Sequence, residues 1–322
     1  MEKGYPGRVS VVIPTFNRAE YLPDAIGSAL RQTYRELDVI VVDDGSTDDT
    51  PDVVVGLGED RVEYVRIDRS RSPARARNVG VSRATGQFVA FLDSDDVWLP
   101  EKIERQMEAL RASPECRWSY TRFDHIDDRG TPMAPLRGGV GTPRSGWILE
   151  HVVTEDALVM VQSVLVEASL LSEVGGFDES PALREDLDLC FRLAARSQVV
   201  ALEANLLRVR HHTARTTFGL PEVRDWRVHA LRKLARSTSD RRLRRLCRRE
   251  CARELAGLAG AYESTGRRRA AVGTLARAFG YGPLEPRLWT TLAKTLTRPL
   301  MTQRMMEAYR RTRDRRAARS EA

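Results

Sequence analysis

Three observations predict an α/β fold with a mostly parallel central sheet and flanking helices, followed by a C-terminal α-helical region. Four short runs rich in β-branched residues alternate with helix-spaced segments over residues 1–112. Three of those runs end in polar or acidic residues. From about Pro221 the pattern is helical and the net charge changes sign. Strands that alternate with helices pair in parallel, and such sheets bind ligands beyond the carboxyl ends of their strands.

Val9–Ile13 (VSVVI) reads as the first buried strand, which Pro14 is expected to stop. Leu22, Ile26, Ala29 and Leu30 give Ala19–Thr33 a helical period. Leu37–Val42 (LDVIVV) is the second strand and ends at Asp43, Asp44, Gly45 and Ser46. A helix is expected over Thr47–Leu57, with Thr47 or Asp48 near its cap. Val62–Arg66 is the third strand. Ser72–Thr85 reads as a helix that Gly86 ends. Phe88–Leu92 is the fourth strand, running into Asp93, Asp95 and Asp96, and Glu101–Ala112 is a further helix. Strands are predicted near Trp118–Phe123 and Gln162–Glu167, with a mobile loop between them that includes the Gly/Pro-rich Gly130–Gly146. Ala168–Val174 is a short helix, GGFDE a turn, and Asp186–Arg196 a helix. Val199–Leu202 and Leu206–Val209 are two more strands. Beyond them Leu243, Cys247, Cys251, Leu255 and Leu258 fall at helical spacing, and Leu275–Phe279 and Leu288–Leu296 read as helices. Ala252–Gly282 resembles one helical hairpin. Arg310–Ala322 is Arg-rich and expected to fray.

Charge supplies the domain boundary. Residues 1–220 hold 26 Lys and Arg against 35 Asp and Glu, a net of −9; residues 221–322 hold 26 against 10, a net of +16. We therefore expect a body at 1–220, with halves 1–112 and 113–220, and a basic helical region at 221–322. That region either packs on the body with its arginines solvated or docks on an anionic membrane, where each Arg contributes about 1 kcal/mol. Nucleic acid is not expected as a partner, because the body is acidic and no aromatic-basic interleaving occurs. No apolar run approaches the ~20 residues of a membrane helix. MEKGYPGR leads straight into a strand, so no signal peptide is expected. Cys116, Cys190, Cys247 and Cys251 show no CxxC spacing, and the last two read as a helix stripe rather than a metal pair. A cytoplasmic location follows, with peripheral contact at the inner membrane face as the reading for a docking tail.

Each polar cluster admits a chemical and a plain reading. Asp93-Ser94-Asp95 at a strand end suits a hard divalent cation, Mg²⁺ or Mn²⁺, or is a solvated turn. Asp43-Asp44 could accept from a base or ribose, or form an Asx-turn. Arg75, Arg77 and Asn78 at a helix start could hold phosphate, or form a solvated face. Glu185-Asp186 could supply a general base, or cap its helix. His211-His212 could ligate a metal or touch diphosphate, or lie idle on the surface.

Taken together, VSVVIPTFNRAEYLPDAIGSALRQTY, VIVVDDGSTDDT, ARARNVGVSRATGQFVAFLDSDDVW, GGFDE and EDLDLCFRLA, in that order over residues 9–196, resemble glycosyltransferase family 2 of the Rossmann-like GT-A fold group. The resemblance implies a nucleotide-sugar donor, UDP- or dTDP-linked, a Mn²⁺ or Mg²⁺ ion, and transfer to a hydroxyl with inversion. It implies that Pro14, Thr15 and Asp44 line the base with Asp43 behind them, and that Asn17, Arg77 and Asn78 lie near the nucleotide. Asp93 would face the ribose or the metal, which Asp95 ligates and His212 approaches. Asp186 would be the general base, with Glu185 orienting the acceptor. Trp98 and the Gly175-Gly176 turn would shape the sugar and acceptor pocket. The chain lacks the QxxRW motif and membrane helices of many processive members, which favours transfer of one sugar at a time, to a lipid-linked glycan or another cell-surface or secondary-metabolite acceptor. Two rivals are weaker. A sugar-nucleotide nucleotidyltransferase would show a Gly-rich basic loop where PTFNRAEYL stands, and a silent binding scaffold would not need Asp95 and Asp186.

Overall fold

The structure is a computed structural model that describes residues 5–134, 142–180, 185–212 and 221–297. The middle of Gly130–Gly146, the HHTARTT segment past His212, and Arg310–Ala322 lie outside the described residues. The chain divides into two compact units, Met1–Phe218 and Gly219–Ala322.

The first unit is built on one mixed sheet. Its parallel half comprises β1 (Tyr5–Thr15), β2 (Leu37–Asp43), β3 (Val62–Arg66) and β4 (Gly86–Phe91), in the order β3-β2-β1-β4. Val11, Val12, Ile13, Val41 and Val42 are fully buried, as central strands covered on both faces must be. Pro14 does not stop β1. It pairs with Val42, and the strand continues to Thr15 opposite Asp43. A proline near a strand end costs only one N–H.

The helices α1 (Leu22–Leu30), α2 (Thr50–Gly56), α3 (Pro73–Arg83) and α4 (Lys102–Ala112) follow the strands. α2 starts three residues later than Thr47 because the backbone N–H of Thr47 is taken by Asn17 Oδ1, and Asp48 Oδ1 accepts from Thr50 N. α3 is capped by Ser72, whose hydroxyl accepts from Arg75 N. It ends at Ala84, not at Gly86. Gly86 opens β4, where a Cβ would come within 2.7 Å of Arg8 O and 2.8 Å of Ser10 N. The glycine is needed for close strand approach, so Gly86→Ala is expected to cost about 1–3 kcal/mol, measured as a lower urea midpoint.

Beyond β4 the sheet becomes mixed. β7 (Leu165–Glu167) pairs antiparallel with both β4 and β6 (Cys116–Ile126). β8 (Gln198–Arg210) runs parallel to β6, and β5 (Val97–Trp98) closes the edge antiparallel to β8. Four of the seven pairings are parallel, so the sheet is more mixed than expected. The two strands predicted at Val199–Leu202 and Leu206–Val209 are one. Register shifts around Arg122 absorb the polar interruption at Glu203–Asn205, and pairing resumes. The strand predicted from Gln162 begins only at Leu165, because Val161–Ser163 forms a 3-10 turn. Among the helices, α5 (Leu149–Thr154) was too short to give a period. α6 (Ala168–Glu173) and α7 (Glu185–Arg196) follow the sequence reading.

The second unit consists, among its described residues, of α8 (Pro221–Ser237), α9 (Arg241–Ser264), α10 (Arg268–Tyr281) and α11 (Pro286–Thr297). Asp240 caps α9 by accepting from Arg242 N at 2.7 Å. Leu243, Cys247, Cys251, Leu255 and Leu258 form its buried stripe. Burial pushes the Cys247 thiol up to about 11 and the Cys251 thiol up to about 12, so both behave as small core side chains rather than nucleophiles. No helix among the described residues is long and apolar enough to cross a membrane.

Candidate active site

Strands β1, β2 and β4 carry their polar ends to the same edge of the sheet, where two acidic turns form. In the first, after β2, Asp43 is fully buried. Its Oδ1 accepts from Ser46 N at 2.8 Å and its Oδ2 from the Tyr64 hydroxyl at 2.6 Å. These bonds fix the turn and use the carboxylate as a strut. Burial and the Asp43 hydrogen bond push the Tyr64 phenol up to about 12, so it stays a donor. Asp44 accepts from Ser70 N at 2.6 Å, from Arg71 N at 2.9 Å, and from the Arg69 guanidinium. Arg69 also lies 3.5 Å over the Phe16 ring. Asp44 therefore holds the β3–α3 loop against the end of β1. The Thr15 hydroxyl beside it is buried and has no partner among the described residues. Pro14 is half-buried next to it.

The second turn follows β4. Asp93 Oδ1 accepts from Arg77 at 2.8 Å and Oδ2 from Gln162 Nε2 at 3.1 Å. Asp96 is fully buried, accepting from Arg210 N at 2.9 Å and from Gln162 Nε2 at 2.9 Å. Asp95 meets His212 Nε2 at 2.9 Å, with Arg18 Nε 3.9 Å away. His212 stacks against Tyr21 with ring centroids 4.8 Å apart, and its Nδ1 is buried without a partner among the described residues. The β1–α1 loop joins the two turns. Asn17, at φ 50°, donates its N–H to Ser46 Oγ and accepts from Thr47 N, and Arg18 reaches toward Asp95.

Arg77 brings the third group into the cleft. Its side chain is 6% exposed and bridges Asp93 to Glu185 Oε1, at 2.8 Å each. Burial alone would lower its pKa, but Asp93, Glu185 and Asp186 outweigh it, so the guanidinium is held more firmly charged than usual. Glu185 moves upward through burial, with Asp186 adding to the rise and Arg77 opposing it. Asp186, in the first turn of α7, has Oδ1 on Leu187 N at 2.7 Å and lies close enough to act on both Arg77 and Glu185. Asn78 pins the glycine turn: its amide donates to Phe177 O and Glu179, and its Oδ1 accepts from Phe177 N. Gly175 and Gly176 have φ of 83° and 66°, so Asn78 locks in place a turn that needs glycines.

The structure thus gathers Arg77, Asp93, Glu185 and Asp186 into one network and sets Asp95 with His212 beside it. Trp98 is placed differently from the expectation. It is 2% exposed, donates Nε1 to Gln162 O, and has Lys102 packed on its ring at 4.1 Å. It supports Gln162 from beneath rather than walling the pocket. Sequence reading missed Gln162, Arg18 and Arg210. A lone glutamine inside the apolar run VMVQSVLV was the available signal for the first. An arginine immediately before the His pair was the signal for the last.

A divalent cation fits the donor set. Asp93, Asp95 and Asp96 each offer an oxygen, and these atoms lie within 4.8 Å of one another. Asp96 is fully buried, so the half-buried Asp93 and Asp95 are the candidates to ligate. The orphaned Nδ1 of His212 adds a donor nearby. Hard oxygen ligands favour Mg²⁺ or Mn²⁺.

Fold and cleft define an α/β domain of the GT-A type. Residues 10–159 match the family model for glycosyl transferase family 2. An uncharacterized glycosyltransferase of Rickettsia conorii is 30% identical over 212 residues, 66% of this chain and 34% of that protein. The aligned part of the chain thus spans about a third of that relative's length. The crystal structure of S. aureus TarS 1-349 in complex with UDP-GlcNAc matches with a TM-score of 0.68 at 18% identity, over 95% of this chain and 92% of that one. The mannosyltransferase PcManGT from Pyrobaculum calidifontis, in complex with GDP-Man and Mn²⁺, matches with a TM-score of 0.55 at 18% identity, over 91% and 88%. At these identities the two structural likenesses are of fold.

Proposed function

We propose that this chain is a metal-dependent, inverting glycosyltransferase that moves one sugar from a nucleotide-diphosphate sugar, UDP- or dTDP-linked, to a hydroxyl acceptor. The acceptor class is a lipid-linked glycan or a related cell-surface or secondary-metabolite hydroxyl. The observation that carries this reading is the Arg77 bridge. It ties the strand-end acids suited to a cation to a helix-start acid pair suited to proton transfer, across one cleft.

In this reading Thr15, Pro14 and the Asp44-braced loop receive the base, with Asn17 and Asn78 fixing the surrounding turns. Asp95, with Asp93 and His212, holds Mn²⁺ or Mg²⁺. When bound, such an ion supplies charge stabilisation to the departing diphosphate. Asp186 accepts the proton of the acceptor hydroxyl as its oxygen bonds the anomeric carbon and the carbon–phosphate-oxygen bond breaks on the opposite face. Glu185, held by Arg77, keeps the acceptor oriented. The buried Arg77 keeps positive charge beside the cleft.

A thermal-shift screen of nucleoside diphosphates and their sugars with Mn²⁺ tests the donor. The expected result is an upward shift with uridine or thymidine compounds, and no shift with any nucleotide would sink the reading. Asp95→Ala is expected to remove the dependence of UDP binding on Mn²⁺ in calorimetry; metal-coupled binding that survives would remove Asp95 from the metal site. For the basic region we propose contact with an anionic membrane face. Flotation of the full chain with anionic but not neutral vesicles, weakened by salt, is the expected result.

A further inference from the structure

A groove of about 190 Å³ opens in the first unit, between α1 and the β5–β8 edge of the sheet. Its walls include Asp24 and Arg31 from the helix side, Val97, Arg208 and Arg210 from the strands, and Gly130. Arg208 pairs directly with Val97, and Arg210 lies two residues on, hence on the same face of the strand. Asp24 and Arg31 are seven residues apart, two helical turns, and share one side of α1. Gly27 lies between them. A Cβ there would come within 2.7 Å of Arg31 Nη1, so the glycine leaves room for the guanidinium to fold along the groove.

The three arginines are not equivalent. Arg210 is 3% exposed and committed: Nη2 to Asp24 at 2.9 Å, Nη1 to Asp128 O at 3.0 Å, Nε to Asp95 O at 2.9 Å. It thereby cancels the charge of Asp24, the one acid in the lining. The side chains of Arg31, exposed, and Arg208, half-buried, make no hydrogen bond or ion pair among the described residues. Two uncompensated guanidiniums thus face a cavity large enough for a tetrahedral oxyanion. Arginine presents planar donor pairs that match phosphate oxygens. The donor cleft accounts for neither.

We propose that this groove is a second binding site, separate from the donor cleft, for a phosphate group carried by a ligand other than the sugar nucleotide. Its occupant is recognised by Arg31 and Arg208, and Arg210 forms the wall shared with the cleft. The same Arg210 donates its backbone N–H to Asp96 and its Nε to the Asp95 carbonyl, so the two sites meet at one residue. The phosphate is either that of a lipid head group or free in solution.

The test is calorimetry of the full chain with inorganic phosphate, with Mg²⁺ and saturating UDP present so that the cleft is filled. Phosphate is expected to bind, and the Arg31→Gln/Arg208→Gln chain is expected to bind it about tenfold or more weakly with UDP affinity unchanged. Equal phosphate affinity in the two chains, or no phosphate binding to the UDP-saturated wild type, overturns the proposal. Should the double variant fail to melt cooperatively, Arg31→Gln alone, at an exposed helix end, is held to the same criteria. Phosphatidylcholine vesicles carrying phosphatidic acid separate the sources. Stronger flotation of wild type than of the variant assigns the site to a lipid phosphate. Equal flotation, with phosphate affinity still lost, assigns it to a soluble one. Failure of UDP to bind counts against the donor reading alone, and the phosphate titrations are then compared without it.

Discussion

Asp186→Asn is expected to lower turnover by about 10²- to 10⁴-fold while leaving UDP binding intact. The amide keeps the size and much of the hydrogen bonding of the carboxylate, including acceptance from Leu187 N, but it cannot take a proton. The bonds that fix the base-side turns run among Asn17, Asp43, Asp44, Ser46, Thr47 and the β3–α3 loop, so the exchange leaves them in place and binding should survive. Steady-state turnover of the donor measured beside calorimetry with UDP separates the two effects. Full turnover in the variant would remove Asp186 from the role of base.

Arg77→Leu is expected to give the largest loss of stability, about 3 kcal/mol, together with loss of transfer. The side chain is 6% exposed and holds two carboxylates that are themselves mostly covered, Asp93 at 28% and Glu185 at 21%. Removing the cation leaves them facing each other near Asp186, with burial already pushing Glu185 upward. One remedy open to the variant is for Glu185 to keep a proton. A carboxyl whose folded pKa lies above its unfolded value favours the folded state below the unfolded pKa and loses that advantage as pH rises through the folded one. The deficit of Arg77→Leu relative to wild type should therefore shrink as pH falls into the range where carboxylates protonate, and be full near neutrality. Urea denaturation of both chains across that range measures it, and a deficit independent of pH would show that the bridge is not the cause.

Much of this architecture was legible in the sequence because periodicity and burial coincide in a parallel sheet. Val62–Arg66 was read with its observed bounds, and β1, β2 and β4 to within a few residues, since each is an apolar run between turn residues. What failed was local punctuation. Pro14 and Gly86 are strong breakers in isolation, yet one sits in a strand end and the other begins a strand, because tertiary pairing decides how a breaker is used. The short elements β5 and α5 were invisible, having too few residues to show a period. In the site, the acidic turns could be read because clustered carboxylates at strand ends are unusual. The Gln162 bridge between Asp93 and Asp96 could not, since it depends on a 3-10 turn that brings a residue from 66 positions away. Arg77 was read as a phosphate contact; the additional fact that it joins Asp93 to Glu185 belongs to three dimensions.

That junction has a consequence for how the chain becomes competent during synthesis. The cleft draws on residues from Thr15 to His212, and its central contact spans 108 positions, from Arg77 to Glu185. Chains emerge N-terminus first, so the strands that would receive a nucleotide leave the ribosome well before the helix that carries the proposed base. A nascent chain that ends before α7 lacks Glu185 and leaves Arg77 with only Asp93 of its two counter-ions. In the proposed reading, nucleotide recognition and proton transfer are thus completed at different moments of translation, and a product truncated before α7 is expected to carry out no transfer.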